Sequence, residues 1–506
     1  LATSGMQADE TLSAQPIRLP VTAPEGIQAS FDGQLTYFKG ATVLRQFEAF
    51  VGARAWRDFI HGYIAKHLHG NASGPELFAE VGQTFGAAVG QAFEQDFTRP
   101  GVALVDLKVE CTAKEIVPEP YVRSLPAGVA EDADDHRTYA VPVCVRYGDA
   151  SHSDRACVLG KPIDVAYCPT WFIANADAIG YYRSKYDPAL ATALLDPTSA
   201  IARQAKPTSA ERRMIVADLA AMVRRDELPI ERALSLVAKL IHDRDPKVAA
   251  GADFVPLHTG GLPDDLFAAV RRWSVATFGP LAHQLGWQRA KGDSDDVERL
   301  RVAVLDHVAF HDPATRAQAE KLADKWLEDR TGLPDDLVDL ALSAAAFKGT
   351  AARFDKILAA AKAAKGQKDR TRLLGALGGF TDPALAARAR ELVVGTDFDT
   401  RDAIVVLEIQ LERRDTREGT WTWLQQHLDE VLARQRDDQN SWLLGQIAGT
   451  FCDAPHRAAV AAFLTPRADK IAGARALVTR GLEQVDHCIA EVAREMPALQ
   501  HFFIKR

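Results

Sequence analysis

A change of period between residues 102 and 187 limits how this chain can fold more than any other feature. VALVDLKVECTAKEIV (102–117) and TYAVPVCVRYG (138–148) alternate apolar and polar residues, which places Val141, Val143, Val145 and Tyr147 on one face of a strand. RACVLG and AYCPTWFIAN follow as short strands, and SLPAGVAEDADDHR reads as a polar, turn-rich insertion. Several short strands packed into so few residues predict a small β-sandwich. On both sides of it the apolar spacing is helical, so the fold class is mostly α with a small β-sandwich.

Ahead of the strands the chain reads as loop, then helices. Pro16, Pro20 and Pro24 keep the opening extended or turned. Tyr37 stands just before a Lys39-Gly40 turn, and Val43, Leu44, Phe47 and Phe50 then fall at helical spacing until Val51-Gly52 ends the run. A second helix carries Trp56, Phe59, Ile60 and Ile64, and a third begins where Ser73 can cap and Pro75 sits in the first turn. From Pro188 onward nearly everything is helical. Thr208 and Glu211 form a T-x-x-E capping box, and GLPDD (261–265, 332–336), TDP (381–383) and DAP (453–455) separate helices of ordinary length. Helix pairs without a fixed repeat length predict an α-solenoid of HEAT-like pairs.

The 506 residues exceed what one core holds, so several domains are expected. Net charge is 60 − 68 = −8, spread along the chain, which gives no electrostatic case for nucleic acid or an anionic membrane. No apolar run is long enough to span a bilayer. The polar opening LATSGMQADETLSAQP has neither a signal-peptide core nor an initiator Met. Residue 1 is therefore taken as an internal point of a longer protein, and cytoplasmic, periplasmic and secreted locations stay open. Cys111, Cys144, Cys157, Cys168, Cys452 and Cys488 contain no C-x-x-C pair, so a structural zinc site is not expected. Buried free thiols are the expectation, although the first four could pair in an oxidising compartment.

The segments SAQPIRLPV (13–21), FDGQLTYFKGATVLRQFEAFVG (31–52) and HGNASGPELFAEV (69–81) resemble, in order and spacing, the part of the aminopeptidase N family that follows its zinc site. WFIANADAIGYYRSKYD (171–187) resembles that family's strand-to-helix hallmark, and GGFTDPALAARARELV (378–393) and TREGTWTWLQQHLDEV (416–431) resemble its helical C-terminal domain. These are zinc aminopeptidases of the gluzincin type, which remove single residues from peptide N-termini. The resemblance implies three regions: 1–98, the helical rear of a thermolysin-like catalytic domain; 99–187, the β-sandwich; and 188–506, the helical superhelix. Tyr37 matches the tyrosine that stabilises the tetrahedral intermediate, a role its hydroxyl can fill as a hydrogen-bond donor.

The family's H-E-x-x-H motif, its further Glu ligand and its G-x-M-E-N loop occur nowhere in these residues, and DFTRPG (96–101) replaces a Trp-containing turn. Zinc is thus implied for the parent protein, with its ligands absent from this chain. His307 and His311 have the i, i+4 spacing of two ligands, but Val308 stands where a Glu base is needed, so packing or surface histidines are expected. His67 and His69 read as a helix-end pair. Arg353, Arg370, Arg372, Arg413 and Arg414 could meet a substrate carboxylate, though a solvated helix face is the plainer expectation. P-loop, dinucleotide and G-x-S-x-G motifs are missing. The sequence therefore predicts part of a zinc aminopeptidase acting on peptides, inert alone and missing the N-terminal half of the same protein. The alternative is a non-catalytic helical scaffold that binds peptides or proteins.

Overall fold

A computed structural model describes residues 2–19, 33–119, 122–129 and 139–504. Pro20, Pro24 and most of the predicted polar insertion lie outside them. The chain forms two compact units, Leu1–Ser235 with Phe254–Pro256, and Leu236–Asp253 with Leu257–Arg506.

The first unit opens with a helix where the sequence suggested loop: α1, Ala2–Asp9. Its weak apolar pattern hid it, since only Met6 contributes a large core side chain, joining Val43, Phe47, Phe59 and Phe93. A π-helix, Gly33–Lys39, runs directly into α2, Gly40–Val51. The expected Lys39-Gly40 turn is therefore absent; Lys39 is helical, at φ −62° and ψ −50°. Gly52 ends α2 with φ 96°, a conformation that disfavours other residues. Three helices follow: α3 (Ala53–Lys66), α4 (Gly74–Phe85) and α5 (Ala87–Thr98). Ser73 and Glu76 close a full capping box ahead of α4. Trp56, Phe59, Phe78 and Phe93 are buried between these helices, with Phe47 edge-on to Phe93 at 5.1 Å.

Two small sheets come next. In the first, β1 (Ala103–Glu110) pairs with β2 (Glu115–Pro118) and β3 (Val122–Arg123), while β6 (Ile163–Asp164) extends β2 and β8 (Tyr182–Lys185) runs parallel to β1. In the second, β4 (Val143–Gly148) is flanked by β5 (Ser153–Val158) and β7 (Trp171–Ile173). Val141, Val143, Val145 and Tyr147 are buried as their alternation requires, but Cys144 between them is buried too. Three helices complete the unit: α6 (Pro188–Leu195), α7 (Ala200–Ala205) and α8 (Ser209–Arg224), the last opened by the Thr208–Glu211 capping box. Glu211 has a second role, accepting hydrogen bonds from Arg146 and the Asp177 amide at 2.7 and 3.0 Å.

The second unit is helical throughout its described residues, and the punctuation seen in the sequence sets its helix starts. Asp382 and Asp453 cap Pro383–Val394 and Ala454–Ala468, each with Pro in the first turn. Leu342, Leu373, Leu377, Val406 and Leu424 from four helices, with Phe380 from a connection, share one core. Salt bridges stitch neighbouring helices: Arg353–Asp324, Arg372–Asp335, Arg388–Asp355, Arg370–Asp402 and Arg467–Asp429.

The cysteines correct the free-thiol expectation. All six pair, as Cys111–Cys168, Cys144–Cys157 and Cys452–Cys488. Cys144 and Cys157 are opposite partners in the β4–β5 register, a juxtaposition set by the hairpin rather than by any local spacing.

Candidate active-site tyrosine

Tyr37 lies in the last turn of the π-helix and is 57% exposed. Among the described residues its hydroxyl has no hydrogen-bond partner, so its donor is free for a ligand. Exposed Leu12, Leu44, Ile64 and Leu68 lie in the same first 98 residues. Ile64, expected on the packed face of α3, instead faces solvent.

Behind the tyrosine the polar groups are buried and tightly partnered. Lys39 donates to Asp9 Oδ2 at 2.7 Å, to the Arg99 carbonyl at 3.0 Å and to the Gly101 carbonyl at 3.4 Å. Gln46 reaches Asp96 at 3.3 Å and accepts from the Tyr181 amide at 2.5 Å. The 171–187 segment is the brace on the other side. Asn175 bonds both the amide and the carbonyl of Gly180. Tyr182 donates to the Ala174 carbonyl at 2.8 Å, and Tyr186 accepts from the Ala174 amide at 2.9 Å. Arg183 bridges to Glu10 at 2.9 Å. Asn175, Tyr182, Arg183 and Tyr186 of that motif serve this scaffold, a use that its sequence alone did not disclose.

Two buried carboxyls in this unit are shifted strongly. Burial pushes Asp96 up to about 7 against the opposing pull of Lys39, and pushes Asp218 up to about 7 against that of Arg183. A folded carboxyl pKa raised above the unfolded value means that the native state holds a proton the unfolded chain releases. Stability from these groups is thus fully present near pH 4 and falls as pH rises to about 7, at roughly 1.4 kcal/mol per pH unit for each group. Asp218→Asn is expected to remove its share of that slope, read as urea midpoints between pH 4.5 and 7.5; an unchanged slope contradicts the assignment.

The other sequence candidates are placed as follows. His307 stacks on Phe278 at 4.0 Å and lies 3.3 Å from Asp253. His311 falls beyond the end of helix Asp295–Val308, so the two histidines do not share a helical face. Burial and the nearby Arg271 and Arg413 lower His311 to about 4. His67 bonds Glu80 at 3.0 Å, and His69 adopts φ 59°. Arg353, Arg370, Arg372 and Arg414 are paired to carboxylates within the helical unit. Arg413 instead lies over the Phe310 ring at 4.5 Å. Among the described residues no group of three or more His, Cys, Asp or Glu side chains could hold a metal ion, and no helix is long and apolar enough to cross a membrane.

Comparison with known proteins bears on this arrangement. Residues 171–487 match the ERAP1-like C-terminal domain, and residues 2–95 match the peptidase family M1 domain. The chain belongs to the M1 aminopeptidase family. It carries that family's C-terminal part. Aminopeptidase M1 of Arabidopsis thaliana is 24% identical over 483 residues, covering 90% of this chain and 52% of the relative. Aminopeptidase 2, mitochondrial, of Saccharomyces cerevisiae is 21% identical over 85% of this chain and 45% of its own length. Glutamyl aminopeptidase of Bitis rhinoceros is 23% identical over 88% and 47%. The chain spans about half the length of the curated relatives it matches. The M1 match ends at residue 95 and covers Tyr37, Asp9 and Lys39.

Proposed function

We propose that this chain is part of a zinc-dependent aminopeptidase that removes N-terminal residues from peptides, with Tyr37 a catalytic residue. The observation that carries the proposal is an exposed tyrosine whose hydroxyl has no hydrogen-bond partner among the described residues, on a helix backed by buried polar contacts, in a stretch that matches the M1 peptidase domain. Such a donor stabilises negative charge as it develops on a substrate carbonyl oxygen. No H-E-x-x-H motif occurs in the sequence and no group among the described residues fits a zinc site, so on this reading the metal and the general base belong to the upstream half of the same protein, and this chain is inert alone. The exposed apolar residues of the first 98 are what that half would cover. On this reading 1–98 is the rear of the catalytic domain, 99–187 the sandwich and 188–506 the superhelix. Six paired cysteines favour an oxidising compartment, periplasmic or secreted.

The test has two arms. The purified chain is expected to bind no zinc and to leave an aminoacyl-arylamide intact; chelator-sensitive hydrolysis by it overturns the inert-alone reading. In the protein with its upstream half, Tyr37→Phe is expected to lower kcat by about 10²–10³-fold with KM little changed. A protein that binds peptides but shows no turnover with that half restored is the scaffold instead.

A further inference from the structure

We infer that Lys39 and Asp9 form a buried bolt that positions the Tyr37 hydroxyl. The inference rests on the reading of Tyr37 given above, and it concerns two residues that do not touch substrate. Tyr37 and Lys39 are two residues apart on one π-helix yet point opposite ways: the tyrosine is 57% exposed and the lysine 1%. π-Helical turns are uncommon and concentrate at functional sites, because the extra residue per turn re-aims side chains.

The lysine is held by every proton it owns. Its ammonium donates to Asp9 Oδ2 and to the carbonyls of Arg99 and Gly101, and it stands 5.5 Å from the Tyr181 ring centroid. Asp9 is equally committed, accepting from the Gly101 amide at 2.7 Å and from the Tyr181 hydroxyl at 3.2 Å. The bolt thus joins the end of α1, the π-helix, the start of the sandwich and the 171–187 brace.

The backbone supports the same placement. A Cβ on Gly5 would come within 3.2 Å of both the Gln34 carbonyl oxygen and the Lys39 nitrogen. A larger residue there would push α1 or the π-helix aside by a few tenths of an ångström. Thr42 ties the carbonyl of Phe38, the residue between tyrosine and lysine, with a 2.7 Å hydrogen bond.

A buried ion pair is a weak source of stability, since desolvation offsets most of its attraction and an apolar pair of similar volume often does as well. Placing one here therefore serves geometry better than it serves stability. It fixes a three-point attachment that a methionine in place of Lys39 could not make.

The test uses this chain labelled with 3-fluorotyrosine. The Tyr37 fluorine resonance is assigned as the one lost in Tyr37→Phe. Two variants are compared: Asp9→Asn with Lys39→Met, which removes both charges together, and Asp9→Glu, which keeps the pair but moves the carboxylate by one methylene. Both are expected to shift or broaden the Tyr37 and Tyr181 resonances and to leave Tyr147 and Tyr167 of the sandwich unmoved. A Tyr37 resonance that stays in place while Tyr181 moves overturns the bolt. If the double variant loses its fold and all resonances move, Asp9→Glu decides alone. In the protein carrying its upstream half, Asp9→Glu is expected to lower kcat, counted per folded molecule by circular dichroism, at least tenfold with KM within twofold; a loss that vanishes on that normalisation is loss of folded protein and overturns the positioning role. If Tyr37→Phe leaves kcat unchanged there, the catalytic reading falls while the fluorine result on the bolt stands.

Discussion

Reductant is expected to cost this protein more stability than any single substitution. Each disulfide restricts the unfolded chain in proportion to the logarithm of the loop it closes. For separations of 57, 36 and 13 residues the closed-loop relation gives about 4, about 4 and about 3 kcal/mol at 25 °C. The bridges with separations of 57 and 13 fall within the first unit and the one with a separation of 36 within the second. Cys452→Ser with Cys488→Ser should therefore lower the guanidinium midpoint of the helical unit and leave the sandwich transition in place. Dithiothreitol should lower both. Non-reducing peptide mapping checks the pairing directly, expecting 111 with 168, 144 with 157, and 452 with 488. Free thiols in the chain unfolded without reductant contradict it.

That pairing was invisible in the sequence for a physical reason. Cys452 sits ahead of helix Ala454–Ala468 and Cys488 within helix Ala474–Phe503, so only the packing of that helix pair brings them together. Local signals behaved differently. The capping boxes at Ser73 and Thr208, the stop at Gly52 and the inward face of Val143, Val145 and Tyr147 depend on neighbours in sequence, and they appear where the sequence puts them. Helix α1 was missed because its support is tertiary, through Gly5, Asp9 and Met6. For the candidate site, resemblance located Tyr37, but nothing near it in sequence announces the partners of Lys39, which lie 30, 60 and 62 residues away.

Glu10 was missed for the same reason, and its removal is the second large effect expected. The carboxylate is buried, which by itself pushes its pKa up. Arg183 and Arg224 overrule that and bring it to about 2. Oε1 accepts from Arg183 and Ser124, each at 2.9 Å. Oε2 accepts from Arg183 at 3.2 Å and Arg224 at 2.6 Å. Glu10 follows α1, Arg183 lies in β8 and Arg224 ends α8, so one side chain ties the opening helix to the sandwich and to the helix after it. Glu10→Gln leaves the fully buried Arg183 without its counter-charge, and the expected loss is about 3–5 kcal/mol. Because the folded pKa is depressed, the contribution is complete above about pH 4.5 and fades as pH falls towards 2. The gap between Glu10→Gln and the parent should be widest near neutrality and should narrow below pH 4.5, measured by urea unfolding. Glu10→Leu combined with Arg183→Met should cost less than Glu10→Gln alone, since it removes the stranded charge together with its partner. A double variant that loses as much as the sum of the singles would show that the two residues act separately, and the tie between α1 and β8 would then have to come from packing.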